Sequence, residues 1–154
     1  MRIGRARQSF WAVWDGDDHG FAQRIVLGPR GPVTLVRGAV RLRDRDVRAD
    51  LELQETWGVE TISASGGRYA WTRKQAGIRV RGTVRLSGHE RTVDARAVID
   101  DTAGYHPRHT CWSWSAGVGV AVDGREVAWN LVEGINDAPS GSERTVWIDG
   151  EPTG

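Results

Sequence analysis

From Val98 to Asp137 the chain reads VIDDTAGYHPRHTCWSWSAGVGVAVDGREVAWNLVEGIND. Beyond Cys111 it alternates with period two. Trp112, Trp114, Ala116, Val118, Val120 and Val122 fall on one side, and Cys111, Ser113, Ser115, Gly117, Gly119 and Ala121 on the other. That period belongs to an extended strand, whose successive side chains point to opposite faces. Asp123-Gly124 is a tight-turn dipeptide, so EVAWNLVEG is expected to return as the antiparallel partner carrying Trp129 and Asn130. The larger residues are expected to fill a core, and the small ladder to leave room for a close-packed neighbour or a ligand. Asn130, set among apolar residues, needs hydrogen-bond partners, of which a ligand polar group is one.

Upstream, RTVDARAVID puts Val93, Ala95, Ala97 and Ile99 on one face. Continued without a bulge, the strand sets Asp101 on that apolar face and Asp100 on the other. A carboxylate directed inward must be paired or hydrogen-bonded, or have its pKa raised by desolvation, which would fit it to donate a proton. Alternatively, one of the two acids orders the turn DDTAG.

The same alternation recurs along the chain. Phe10–Trp14 and Phe21–Leu27 read as strands around the acidic turn DGDDHG, which only superficially resembles a calcium loop. Val36, Val40 and Leu42 oppose Arg37, Arg41 and Arg43; Val47, Ala49, Leu51 and Leu53 oppose Arg48, Asp50, Glu52 and Gln54; Ile78, Val80, Val84 and Leu86 oppose Arg79, Arg81, Thr83 and Arg85. Gln75–Gly77 and Ser87–Glu90 read as hairpin turns, and Arg144–Gly150 as the last strand. With 20 Gly, eight Trp and almost no helix signal, the expected fold is all-β and antiparallel, a meander or barrel.

At 154 residues and 39% hydrophobic, one domain spanning 1–154 is expected. Lys plus Arg number 21 against 20 Asp plus Glu, so no uniform field exists to hold a nucleic-acid backbone, and the Arg rows read as wet outer faces. No apolar run approaches the ~20 residues that cross a bilayer as a helix. A single Cys, with no secretory apolar run at the start, makes the cytoplasm the default location.

Asp101, His106 and His109 could together run acid/base chemistry, with Asp100 as the alternative acid. Their spacing matches no metal motif, and the two histidines could equally be loop residues bonded to backbone. Neither a nucleophile elbow nor a phosphate or dinucleotide loop occurs, so no cofactor is implied.

The runs YAWTRKQAGIRVRGTVRL, DDTAGYHPRHTCWSWSAGVGVAVDGREVAWNLVEGINDAP and SERTVWIDGEP resemble an uncharacterised bacterial domain-of-unknown-function family, number 2804, from about Phe10 onward. That family is in turn distantly similar to lipocalin-like proteins that include carotenoid hydratases and tocopherol cyclases. The resemblance implies a calycin-type sheet or incomplete barrel about an apolar pocket. It also implies an apolar small-molecule partner, a lipid or isoprenoid, with acid-catalysed hydratase, cyclase or isomerase activity in some members. Asp100 and Asp101 would supply the acid, and Trp112, Trp114 and Trp129 the walls, whose π faces stabilise a carbocation. The shared WTRK motif adds Trp71, Arg73 and Lys74, the only lysine of the chain. Lys74 would either anchor an anionic headgroup or pair with Asp100 and Asp101. Members usually carry further strands at both ends, so the resemblance implies a fragment of a two-barrel protein whose open strand edges could form a homo-oligomer. The competing expectation is a noncatalytic structural or interaction domain in which the Trp and Gly positions serve packing alone.

Overall fold

The computed structural model describes residues 8–15, 20–28, 31–65, 67–105, 109, 111–137 and 141–153. Among them are twelve strands and no helix: β1 (Gln8–Asp15), β2 (Gly20–Leu27), β3 (Val33–Val36), β4 (Ala39–Arg43), β5 (Val47–Leu53), β6 (Val59–Ser65), β7 (Arg68–Leu86), β8 (His89–Gly104), β9 (Ser113–Val120), β10 (Glu126–Glu133), β11 (Arg144–Ile148) and β12 (Glu151–Thr153). The pairings with a defined register are all antiparallel. The fold class expected from the sequence, an antiparallel lipocalin-like sheet or incomplete barrel, is the one observed.

The chain divides into two compact units, to which β7 and β8 each give one half. The first holds residues 1–53 and 80–94. In it β1 pairs with β2, and β3, β4, β5 and the second half of β7 lie side by side. Its core is Leu42, Val47, Ala49 and Leu86, joined by Trp11, Val13, Ala22, Val33, Leu51 and Val84. The residues expected to point inward along β5 do so, since burial there alternates from Val47 to Leu53. Asp44 ties β1 and β2 to this core, accepting hydrogen bonds from Trp11 Nε1 at 2.9 Å and Arg24 Nη1 at 2.6 Å.

The second unit holds 54–79 and 95–154. There β6 pairs with the first half of β7, and a four-stranded sheet runs in the order β12-β11-β10-β9. Its apolar core is Ala76, Ala128 and Trp147, with Val59 and Val98 against it. An indole ring buries ~150–250 Å², so at ~25 cal/mol per Å² Trp147, 4% exposed, contributes on the order of 4–6 kcal/mol and anchors the cluster.

Three sequence expectations are corrected. Residues 36–43 are not one strand, because the chain turns at Arg37-Gly38 to form the β3–β4 hairpin. Gln75–Gly77 is not a turn; β7 runs straight through it, and Gly77 instead supplies a left-handed backbone (φ 70°) within the strand. The turn falls at Ser87-Gly88, both with positive φ (48° and 88°), as a two-residue hairpin with right-handed strand twist requires. Finally, Trp112, Trp114, Val118, Val120 and Val122 are exposed and do not fill a core: β9 is the edge strand of its sheet, and Trp112 and Val122 lie just outside it.

Candidate functional site

Paired residues of an antiparallel ladder share a face, so the registers of β9, β10 and β11 define one inner face of the second unit. Trp114, Ala116 and Val118 on β9 lie with Val132, Asn130 and Ala128 on β10, and with Thr145 and Trp147 on β11. On β7, Thr72, Lys74 and Ala76 are buried at every second position. Two adjacent layers of this face, one strand repeat or ~7 Å apart, concern the site. Lys74, Asn130 and Thr145 form a polar layer, and Ala76, Ala128 and Trp147 an apolar one.

The polar layer centres on Lys74, 2% exposed. Its Nζ donates to Asp100 Oδ2 at 2.7 Å and Asn130 Oδ1 at 3.3 Å, and lies 3.5 Å from Glu143 Oε2. Three acceptors match the three N–H bonds of an ammonium. Asn130, fully buried, also accepts from Trp114 Nε1 at 2.9 Å and donates from Nδ2 to Asp100 at 3.3 Å. One cation and two carboxylates therefore meet in a largely desolvated space, the setting in which ion pairs persist only when hydrogen bonds complete them.

The other face of β7 carries a second network. Arg73 Nη2 donates to Asp101 Oδ2 at 2.6 Å and Glu55 Oε2 at 3.3 Å, while its buried Nε finds no acceptor among the described residues. The hydrogen bond to Asp101, outweighing burial, pushes the guanidinium's pKa above its ordinary value. Gln75, fully buried, donates to Glu55 at 3.2 Å and accepts from the Thr56 backbone N–H at 2.7 Å.

The two acids thus divide between the two faces, opposite to the simple parity expectation. Val98 packs on the Ala76–Trp147 cluster, and Asp100, two residues on, reaches Lys74. Asp101 takes the Arg73 side, its side chain 43% exposed. Of the remaining candidates, Trp71 is half-buried opposite Ile62, and Trp112 is 57% exposed. Trp129 lies on the outer face, where Nε1 donates to Ser115 Oγ at 2.9 Å and the indole covers Gly117; a Cβ there would collide with the ring. Part of the small ladder is therefore explained by a neighbouring Trp. His109 is exposed, and His106 lies outside the described residues. Among the described residues no three His, Cys, Asp or Glu are grouped to hold a metal ion.

Glu143 and Glu55 were missed by sequence reasoning, although the signal was there. Glu143, Thr145 and Trp147 are buried at period two, so extending the last strand's alternation back by one step reaches Glu143. Glu55 follows Leu51 and Leu53 in the same way.

Over the apolar layer opens a concavity of about 180 Å³, whose lining includes Ala76, Val118, Val120, Ala128 and Trp147. Arg96 and Glu126 also line it. Arg96 Nη2 donates to both oxygens of Glu126, 2.6 Å to Oε2, and Nη1 donates to the Gly77 carbonyl at 3.2 Å. Neither Asp100 nor Asp101 is among its lining residues.

Residues 33–153 match the model of a protein family described as Domain of unknown function (DUF2804). Neither a curated protein nor a solved structure matches the chain.

Proposed function

We propose, on the premise that this chain belongs to the family described as Domain of unknown function (DUF2804), that its second unit binds an apolar small molecule, a lipid or isoprenoid, without transforming it. The observation that carries this reading is the apolar concavity against Trp147, beside a strand edge that leaves Val118 39% and Val120 71% exposed. Apolar side chains converging on a hollow with a few placed polar groups are the usual make-up of a small-molecule site. Binding is favoured over acid catalysis because Asp100 and Asp101 direct their oxygens at Lys74 and Arg73, and neither lines the hollow.

Lipid extracted from the purified protein and identified by mass spectrometry tests this. Val118→Trp, at a partly exposed edge position, should fill the hollow and remove the bound material; equal recovery from both proteins, or none from either, would reject binding there. A second reading, a structural or interaction domain, is favoured by one observation: Lys74 is fully matched by protein acceptors and offers nothing to a ligand headgroup. Empty protein that keeps its stability in Val118→Trp would support that reading instead.

A further inference from the structure

Accepting that the concavity binds a ligand, its size and its charged lining together narrow the ligand's chemistry. An engineered apolar cavity of ~150 Å³ holds one benzene, whereas drug-sized ligands occupy ~300–1,000 Å³. At about 180 Å³ the hollow suits one ring or a short branched chain, such as the terminal unit of a longer molecule whose remainder stays outside.

The polar end is set by Arg96 and Glu126. Their formal charges cancel, and both are fixed from behind: Arg96 by the Gly77 carbonyl, and the Glu126 backbone N–H by Asp149 Oδ1 at 2.9 Å. A ligand carboxylate could reach Arg96 only by facing Glu126, and an amine could reach Glu126 only by facing Arg96. A hydroxyl meets neither repulsion. It accepts from a guanidinium N–H, of which Arg96 has five and uses three in the described bonds, and it donates to a carboxylate oxygen of Glu126. We infer that the concavity selects an uncharged, hydroxyl-bearing molecule of single-ring or short branched shape, its apolar body against Val118, Ala128 and Trp147 and its hydroxyl bridging Arg96 and Glu126.

Three probes of matched shape test this: cyclohexylmethanol, cyclohexanecarboxylate and cyclohexylmethylamine, titrated into the whole chain and followed by amide and indole NMR shifts. The alcohol should bind at least tenfold more tightly than either ion, shifting Val118, Val120, Ala128 and the Trp147 indole, and Val118→Trp should abolish this. Because Arg96 and Glu126 are 39% and 53% exposed, each can be neutralised without unfolding the unit. Glu126→Gln should move the preference to the carboxylate, and Arg96→Met to the amine. Equal affinity for the three probes at these residues, or an order unchanged in both variants, would overturn the hydroxyl assignment while leaving the hollow a binding site. No shift with any probe would overturn both.

Discussion

Replacing Lys74 by Met keeps most of the side-chain volume and removes the charge, so its effect isolates the buried network. Lys74 is 2% exposed, and the side chains of Asp100 and Glu143 are 27% and 10% exposed. Removing one partner of a buried pair costs ~3–5 kcal/mol, because the other charge is left uncompensated. Partial access of water to Asp100 argues for the lower end, about 3 kcal/mol. For a chain of this length, ~2–4 °C of Tm per kcal/mol makes that a fall of roughly 6–12 °C. The assay is urea unfolding followed by Trp fluorescence, in a cycle with Asp100→Asn. If the pair is coupled as its 2.7 Å contact implies, Lys74→Met should cost at least ~1 kcal/mol less in the Asp100→Asn background than in the wild type. A loss below ~1 kcal/mol for Lys74→Met, with additive behaviour in the double variant, would refute the claim that this network organises the second unit.

Acid should loosen the first unit through Asp44. Burial pushes that carboxyl up, but hydrogen bonds accepted from the Arg45 backbone N–H, Trp11 and Arg24 outweigh it and hold its pKa below the ordinary 3.8. A depressed carboxyl contributes stability that is present above its unfolded value and lost as pH falls through the folded one, so a wild-type loss below about pH 3.8 should be reduced in Asp44→Asn; identical acid profiles would count against it. Gly117→Ala should cost ~1–3 kcal/mol by driving a methyl into the Trp129 indole, and Trp129→Phe should recover part of that, as read by thermal unfolding. Trp114→Phe removes the indole donor to Asn130 and should cost about 1 kcal/mol by urea titration, with no effect expected once Asn130 is already replaced.

Alternation and turn residues determined that this chain is antiparallel β, and they located β5, a hairpin within Ser87–Glu90 and the β9–β10 pair, because side-chain period and turn dihedrals are local properties. The family resemblance, not alternation, singled out Lys74, as an anchor for a headgroup or a partner of both Asp100 and Asp101; it meets Asp100, while Asp101 pairs with Arg73. Which face of a strand is covered is not local. Val118 and Val120 carry a core pattern yet stand exposed, since nothing pairs with β9 on its outer side among the described residues. For the same reason Asp100, and not Asp101, joins the buried lysine: the parity of β8 set Asp101 inward with Ile99, but it is Val98 that packs on Trp147's cluster, which turns Asp100 inward and Asp101 to the other face.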